Sequence, residues 1–274
     1  MSTAGRRSQG ARWGWRWGAP TVVAALVIGL WYFVSYRLLT EDTRFLVPPP
    51  DAVLRVGFLD PFNRVELLDG LLLSARVAML GLAAAAVVGI GLAILMSQAR
   101  WAEWSVFPYL VLLQATPILA VVPLYGFWFG YGFNTRVLVC FLIALFPIVA
   151  STLFGLRSVD RDHHDLFTLY GASRWTRLWK LQLPSALPSI FTGLRISAGL
   201  SVIGAIVGDF FFRQGEVGMG VLIDYYRSRL QSEQMFAAVI LSSLFGLAVF
   251  LLFGALGRRV VGGWHESGQD STLT

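Results

Sequence analysis

The sequence predicts an all-α, polytopic membrane protein with six transmembrane helices. Three observations carry this. Hydrophobic residues make up 56% of the chain and charged residues 14%. A water-soluble domain carries roughly 25% charged residues, and so few charges cannot cover a wetted surface. Six apolar stretches each approach the about 20 residues that cross hydrocarbon as a helix. The cationic residues gather in alternate connections. The net charge is +6, nearly all from arginine, with Lys180 the only lysine. In a soluble chain that charge would point to nucleic acid. Here the positive-inside bias accounts for it, so the expected partner is the lipid membrane and not nucleic acid. The single cysteine, Cys140, lies in an apolar run, which leaves no disulfide framework.

Residues 1–18 form a basic, aromatic tail with Arg6, Arg7, Arg12 and Arg16 beside Trp13, Trp15 and Trp17. Such a mixture suits the membrane interface. The rival reading, an Arg-Arg export signal, lacks a small-residue cleavage site after the next apolar run. Span one covers about 19–36. The loop 37–70 follows, with Pro48-Pro49-Pro50 and room for a short amphipathic helix near Asp51–Phe58. Span two, about 71–96, is rich in Ala and Gly, which permit close helix packing in lipid. Arg76 lies near one end of it. A short turn, Ser97–Glu103, leads to span three at about 105–129. That span contains Gln114-Ala115-Thr116-Pro117 and Pro123. Prolines free backbone carbonyls, and such breaks are tolerated where a helix faces protein or a watery cavity. The two readings are a kinked packing helix and a path-lining one.

A turn at Gly130–Thr135 precedes span four, about 136–156. Span five, about 188–212, carries Gly193, Gly199, Gly204 and Gly208, with Arg195 near its start and Asp209 near its end. A glycine-rich polar loop, 213–233, leads to span six, about 235–256. Six spans put both ends on one side. With the N-terminus inside, the inner segments hold nearly twice the Arg and Lys of the outer loops, so an N-in, C-in topology is expected. The chain then divides into a cytoplasmic tail 1–18, a first span with external loop 19–70, a core of five spans 71–256 and a cytoplasmic tail 257–274. No internal repeat is evident.

This topology puts 157–187 in the cytoplasm, and Arg76 and Asp209 near the outer ends of their spans. An acid within a span costs about 2.5 kcal/mol or more unless it meets water or a partner. Pairing with Arg76 and lining a polar path both satisfy Asp209. No Walker-type phosphate loop and no Gly-x-Ser-x-Gly nucleophile motif is present, so ATP is not bound by that route. His163-His164, flanked by Asp160, Asp162 and Asp165, hints at metal. Adjacent helical residues point about 100° apart, however, so a solvated helix start is the better reading.

The stretch Arg157–Leu194 is the longest polar interval between apolar runs. Asp160 and Asp162 suit a helix N-terminus, where carboxylates meet free N–H groups. Gly171 suits the left-handed position that ends such a helix. Trp175, Leu178 and Trp179 then recur at helical spacing among Arg174, Arg177 and Lys180, as on an interfacial helix. Leu183-Pro184 and Pro188 are expected to stop it and begin span five. An ordinary amphipathic loop fits these residues equally well.

The pattern Asp165-x-x-x-x-x-Gly171-Ala172-Ser173, followed by Leu183-Pro184, resembles the EAA loop of ABC importer permeases. Phe146-Pro147-Ile148, Gly155–Asp160, Thr116-Pro117, Pro123-Leu124 and Leu183–Arg195 resemble its nitrate/sulfonate/taurine branch, which includes permeases for pyrimidine precursors and riboflavin. The resemblance covers roughly 65–260 and implies a type I importer permease fold. It implies that Asp165, Phe167, Gly171, Ala172, Ser173, Leu183 and Pro184 couple this chain to a separate ATPase, which holds ATP and Mg. No cofactor is implied in this chain. An extracytoplasmic substrate-binding protein and a second permease copy are the other implied partners. Gln114, Thr116, Pro117, Asp209 and Arg76 are the candidates for the translocation path. Two departures stand out: Asp165 replaces Glu, and the bulky Phe167 replaces a small Ala, which alters how the helix seats. An integral membrane enzyme acting on lipid, and a secondary carrier, are the alternative functions.

Overall fold

A computed structural model describes residues 8–212 and 215–262. Arg6, Arg7, Arg213 and His265 therefore lie outside the described residues. Helix α1 spans Ser8–Phe33 and continues through a π turn, Val34–Leu38. A 3-10 turn, Glu41–Leu46, follows. Helix α2, Pro50–Ala52, runs into a second π turn, Val53–Leu59. This is the short helix expected near Asp51–Phe58. The long helices are α3 (Pro61–Gln98), α6 (Phe133–Arg157), α9 (Leu183–Phe211) and α11 (Ser232–Val261). Between them lie α4 (Arg100–Ala115), α5 (Ile118–Phe129), α7 (Arg161–Leu169), α8 (Arg174–Arg177) and α10 (Met219–Ser228).

Among the described residues, five helical stretches are long and apolar enough to cross a membrane: Pro20–Leu38, Pro61–Gln98, Phe133–Arg157, Arg174–Phe211 and Ser232–Val261. Helices α4 and α5 together make a sixth, bent by 103° between Ala115 and Ile118. The break falls where the sequence placed it, but it is a sharp corner and not a kink within one span. Pro117 has no N–H to continue the ladder. The Thr116 hydroxyl donates back at 2.8 Å to the Leu112 carbonyl, which also accepts the Thr116 N–H at 3.0 Å.

The chain resolves into two compact units, 1–65 with 225–238, and 66–224 with 239–274. In the first, the Trp31 indole donates to the Pro48 carbonyl at 2.9 Å and its ring lies 5.7 Å from that of Phe236. These contacts tie α1 to the proline-rich loop. Asp60 caps α3 by accepting the N–H groups of Phe62 and Asn63, both at 3.0 Å. The helix consequently begins at Pro61, well before the expected 71.

In the second unit, α3, α6 and α9 pack through small and branched side chains, including Ala78, Leu82, Ala85, Cys140, Ala144, Ile148, Ala198 and Ala205. Lipid removes the hydrophobic drive between helices, so close contact has to come from small residues and interhelical hydrogen bonds. Both occur at the α6–α9 seam. A Cβ added at Gly193 would lie 2.8 Å from the Ser151 Cβ and 3.0 Å from the Pro147 carbonyl. One helical turn further along, the Ser197 hydroxyl donates to the Ala144 carbonyl at 2.8 Å.

Two expectations are corrected here. Neither Leu183-Pro184 nor Pro188 stops a helix, because α8, a π turn Leu178–Gln182 and α9 form one continuous helical stretch with Pro188 inside it. The Leu183 N–H reaches back five residues to the Leu178 carbonyl, and Pro184 falls in the first turn of α9. The polar stretch 213–233 is also not all loop, since it contains α10.

Candidate functional site

The segment 157–187 folds as the sequence anticipates at its centre. Gly171 adopts φ +66°. Its N–H donates to the Thr168 carbonyl at 3.0 Å, and the Ala172 N–H donates to the Phe167 carbonyl at 2.9 Å. This pair of bonds is a Schellman cap, which needs a left-handed residue at the position of Gly171. Two residues on, the Ser173 hydroxyl accepts the Thr176 N–H at 3.1 Å and so caps α8. The Arg177 guanidinium donates to the Ala172 carbonyl at 3.1 Å across the turn. Gly171-Ala172-Ser173 thus closes one helix and opens the next within three residues.

The two arms of this segment differ in their support. On the α8 side, Leu178 is buried against Ala93, Met96, Ala102, Leu153 and Ala186, and Leu181 is buried as well. The Gln98 amide donates to the Gln182 side-chain carbonyl at 2.9 Å. Arg157 forms a two-armed ion pair with Glu103, at 2.6 and 2.5 Å. Helix α7, by contrast, has no buried residue. Leu166, Leu169 and Tyr170 stand exposed, Leu169 at 85% and Tyr170 at 83%. Asp165 is exposed and Phe167 half-buried, as are Leu183 and Pro184. An anchored arm therefore carries an unpartnered apolar one.

The path candidates separate into two places. Gln114 and Thr116, at the α4–α5 break, line a cavity of about 230 Å³ with Leu113, Ile143, Phe146 and Leu200. Pro117 is exposed at the same corner. Arg76 is exposed and lines a cavity of about 400 Å³ with Phe133, Arg136 and Glu216.

Asp209 belongs to neither cavity. It is fully buried and forms an ion pair with Arg136, 3.0 Å away, not with Arg76. The Ser74 hydroxyl donates to its Oδ2 at 2.8 Å while accepting the Met219 N–H at 2.9 Å. Arg136 also donates to the carbonyls of Phe212 at 2.6 Å and Glu216 at 3.0 Å. The carboxylate is held by protein groups on every side, so it does not line a path in this structure. Arg136 was the residue missed. The signal was available: α6 begins where α9 ends if the two run antiparallel, which puts Arg136 level with Asp209, and an intramembrane acid needs a partner at its own depth.

The glycines of the 213–233 segment complete this cluster. A Cβ at Gly218 would collide with Asp209 Oδ2, and one at Gly220 would collide with the Ile206 carbonyl and lie 2.6 Å from the Asp209 Cβ. The Gly220 clash is with backbone, which cannot swing away. Gly220→Ala should therefore destabilise the protein by about 1–3 kcal/mol, the usual range for overpacking. A lowered thermal unfolding midpoint in detergent, set against Gly199→Ala, where a Cβ meets nothing within 4 Å, checks this.

Comparison with known proteins agrees with this architecture. The family model described as "Binding-protein-dependent transport system inner membrane component" matches residues 85–262. The chain is 32% identical over 236 residues to the formylaminopyrimidine transport permease protein ThiX of Halalkalibacterium halodurans, covering 84% of this chain and 90% of that one. It is 29% identical to the taurine transport system permease protein TauC of Escherichia coli, covering 92% and 93%. It is 30% identical to the nitrate import permease protein NrtB of Leptolyngbya laminosa, covering 88% and 87%. With a family match over most of its length and the helical core that such a match requires, the chain belongs to the inner-membrane permease family of binding-protein-dependent ABC importers.

Proposed function

We propose that this permease forms, with a second copy, the translocation path of an ATP-driven importer, and that Asp160–Leu183 is the lever by which a separate ATPase moves it. The observation that carries this reading is the asymmetry of that segment. The α8 arm is packed into the bundle, while α7 presents Leu166, Leu169 and Tyr170 to solvent. An exposed apolar cluster beside a rigid anchor is what a docking element needs. Force on α7 passes to α9 through the continuous helix from Arg174, and to α3 through Gln98–Gln182. The ATPase would carry ATP and Mg.

Both chain ends and the 157–187 segment lie on the cytoplasmic side in this reading, with a substrate-binding protein docking outside. ATP binding closes the ATPase pair, both α7 helices follow, and the bundle turns outward. Docking free energy has to differ between the two states for this to work. The corner at Gln114 and Thr116, with its polar side chains in a cavity, is the proposed segment of the path. The substrate is a small polar organic molecule or anion, of the sulfonate, nitrate, pyrimidine or vitamin-precursor kind.

Co-expression with an ATP-binding ABC subunit, copurification, and ATP-dependent uptake in vesicles test the proposal. Uptake driven by an ion gradient without ATP overturns it. If α7 is the docking element, Leu169→Ala should weaken ATPase binding about tenfold, the worth of one buried leucine side chain. Full ATPase affinity in that variant would remove Leu169 from the docking surface.

A further inference from the structure

We propose that the groove between the start of α9 and the end of α11 binds the phosphate of an anionic phospholipid. Pro188, Phe191, Thr192, Arg195, Phe253, Gly254, Gly257 and Arg258 line it, around a cavity of about 220 Å³. The Arg195 guanidinium carbon lies 4.0 Å from the centroid of the Phe250 ring. That stacking covers one face of the cation and leaves its in-plane N–H edge to find acceptors. None is supplied by the described residues. The Arg195 Nε is buried without a hydrogen-bond partner, and no carboxylate pairs with this side chain.

The groove is built around that arginine. Gly254 makes room for it, since a Cβ there would lie 3.2 Å from the Arg195 Nε. Gly257 does the same for Phe191, with the nearest contact at 3.1 Å. Arg258, one helical turn from Gly254, adds a second cation at the exposed rim. A half-buried guanidinium in a membrane span, its Nε enclosed without a protein acceptor, calls for an anion or water. Arg presents a planar fork that fits phosphate oxygens, and the rim of Phe191, Phe253 and Pro188 is apolar. A phosphodiester at the head of an acyl chain satisfies both halves of this lining. A free anion satisfies only the first.

The experiment titrates the full-length permease, purified in detergent, with phosphatidylglycerol and separately with phosphatidylcholine, reading retained lipid by native mass spectrometry. Phosphatidylglycerol should be preferred. Arg258→Gln, at an exposed position where folding is not at issue, should lower its affinity about fivefold, and Arg195→Gln with Arg258→Gln roughly thirtyfold. Gly254→Leu fills the groove while keeping both cations and should also abolish the preference. Arg259→Gln, one residue outside the lining, should leave it unchanged. Three results overturn the proposal. The double variant keeps the preference, Arg259→Gln weakens binding as much as Arg258→Gln does, or millimolar inorganic phosphate or taurine displaces the lipid and identifies a free-anion site.

Discussion

Asp209→Ala should destabilise the folded protein by about 3–5 kcal/mol, the usual cost of removing one partner from a buried ion pair. Arg136 is only 2% exposed in its side chain and pairs with Asp209 at 3.0 Å. Without the carboxylate, a guanidinium stays inside the bundle without the charge 3.0 Å from it, while the carbonyls of Phe212 and Glu216 still accept from it. Ser74 loses its acceptor in the same step. Because Ser74 also holds the Met219 N–H, the start of α10 loosens with it. Asp209→Asn keeps an acceptor for Ser74 but loses the charge, and should fall between wild type and Asp209→Ala. Replacing both partners, Arg136→Met with Asp209→Leu, should cost less than the sum of the two single changes, since no lone charge is left buried. Thermal unfolding in detergent, arranged as a double-mutant cycle, measures this. Additive single effects would mean that the two side chains do not act as a pair.

That cluster also marks the limit of what the sequence made legible. The spans were readable because 20 apolar residues have few alternatives to a membrane helix. The corner at Thr116-Pro117 was readable as a break because proline cannot continue a helical ladder. Its 103° angle was not, since that depends on what packs beside it. Asp209 was readable as costly. The two readings left open, pairing with Arg76 and lining a path, both missed Arg136, because hydropathy shows the depth of a residue but not which face of a helix it occupies. The glycines at 218 and 220 looked like loop composition. They are small because Asp209 and the Ile206 carbonyl leave no space for a Cβ, a tertiary reason invisible in the segment itself.

Leu183-Pro184 misled for a related reason. Proline kinks or ends a regular α-helix in water, where it deletes a bond to the fourth residue back. In this chain the preceding turn is already π-wound, with Leu183 bonded to Leu178. The ladder shifts register before the proline arrives, and the helix runs on to Phe211. In the coupling role proposed for this segment, that continuity carries a displacement of α8 into α9, whereas a loop between them would absorb it.

Gly171→Asp should reduce transport to background while leaving the protein in the membrane at its normal level. No atom lies within 4 Å of the Cβ that a side chain would add there, so the change creates no clash. The backbone cost is also small. A left-handed residue other than glycine costs roughly 1–2 kcal/mol, and Asp and Asn are among the residues that tolerate it best. The Schellman bonds to Phe167 and Thr168 can therefore persist. What changes is charge, placed next to the exposed Leu169 and Tyr170 where an ATPase surface is proposed to seat. Gly171→Asn separates the two effects, because it has the same shape and conformational demand without the charge, and should keep most of the uptake. Gly171→Val, β-branched and poorly suited to φ +66°, should instead disturb the cap and lower ATPase copurification. Uptake rates, membrane levels and copurified ATPase, measured for all three variants, distinguish these mechanisms. If Gly171→Asp transports at the wild-type rate, α7 is not the element through which the ATPase drives this permease.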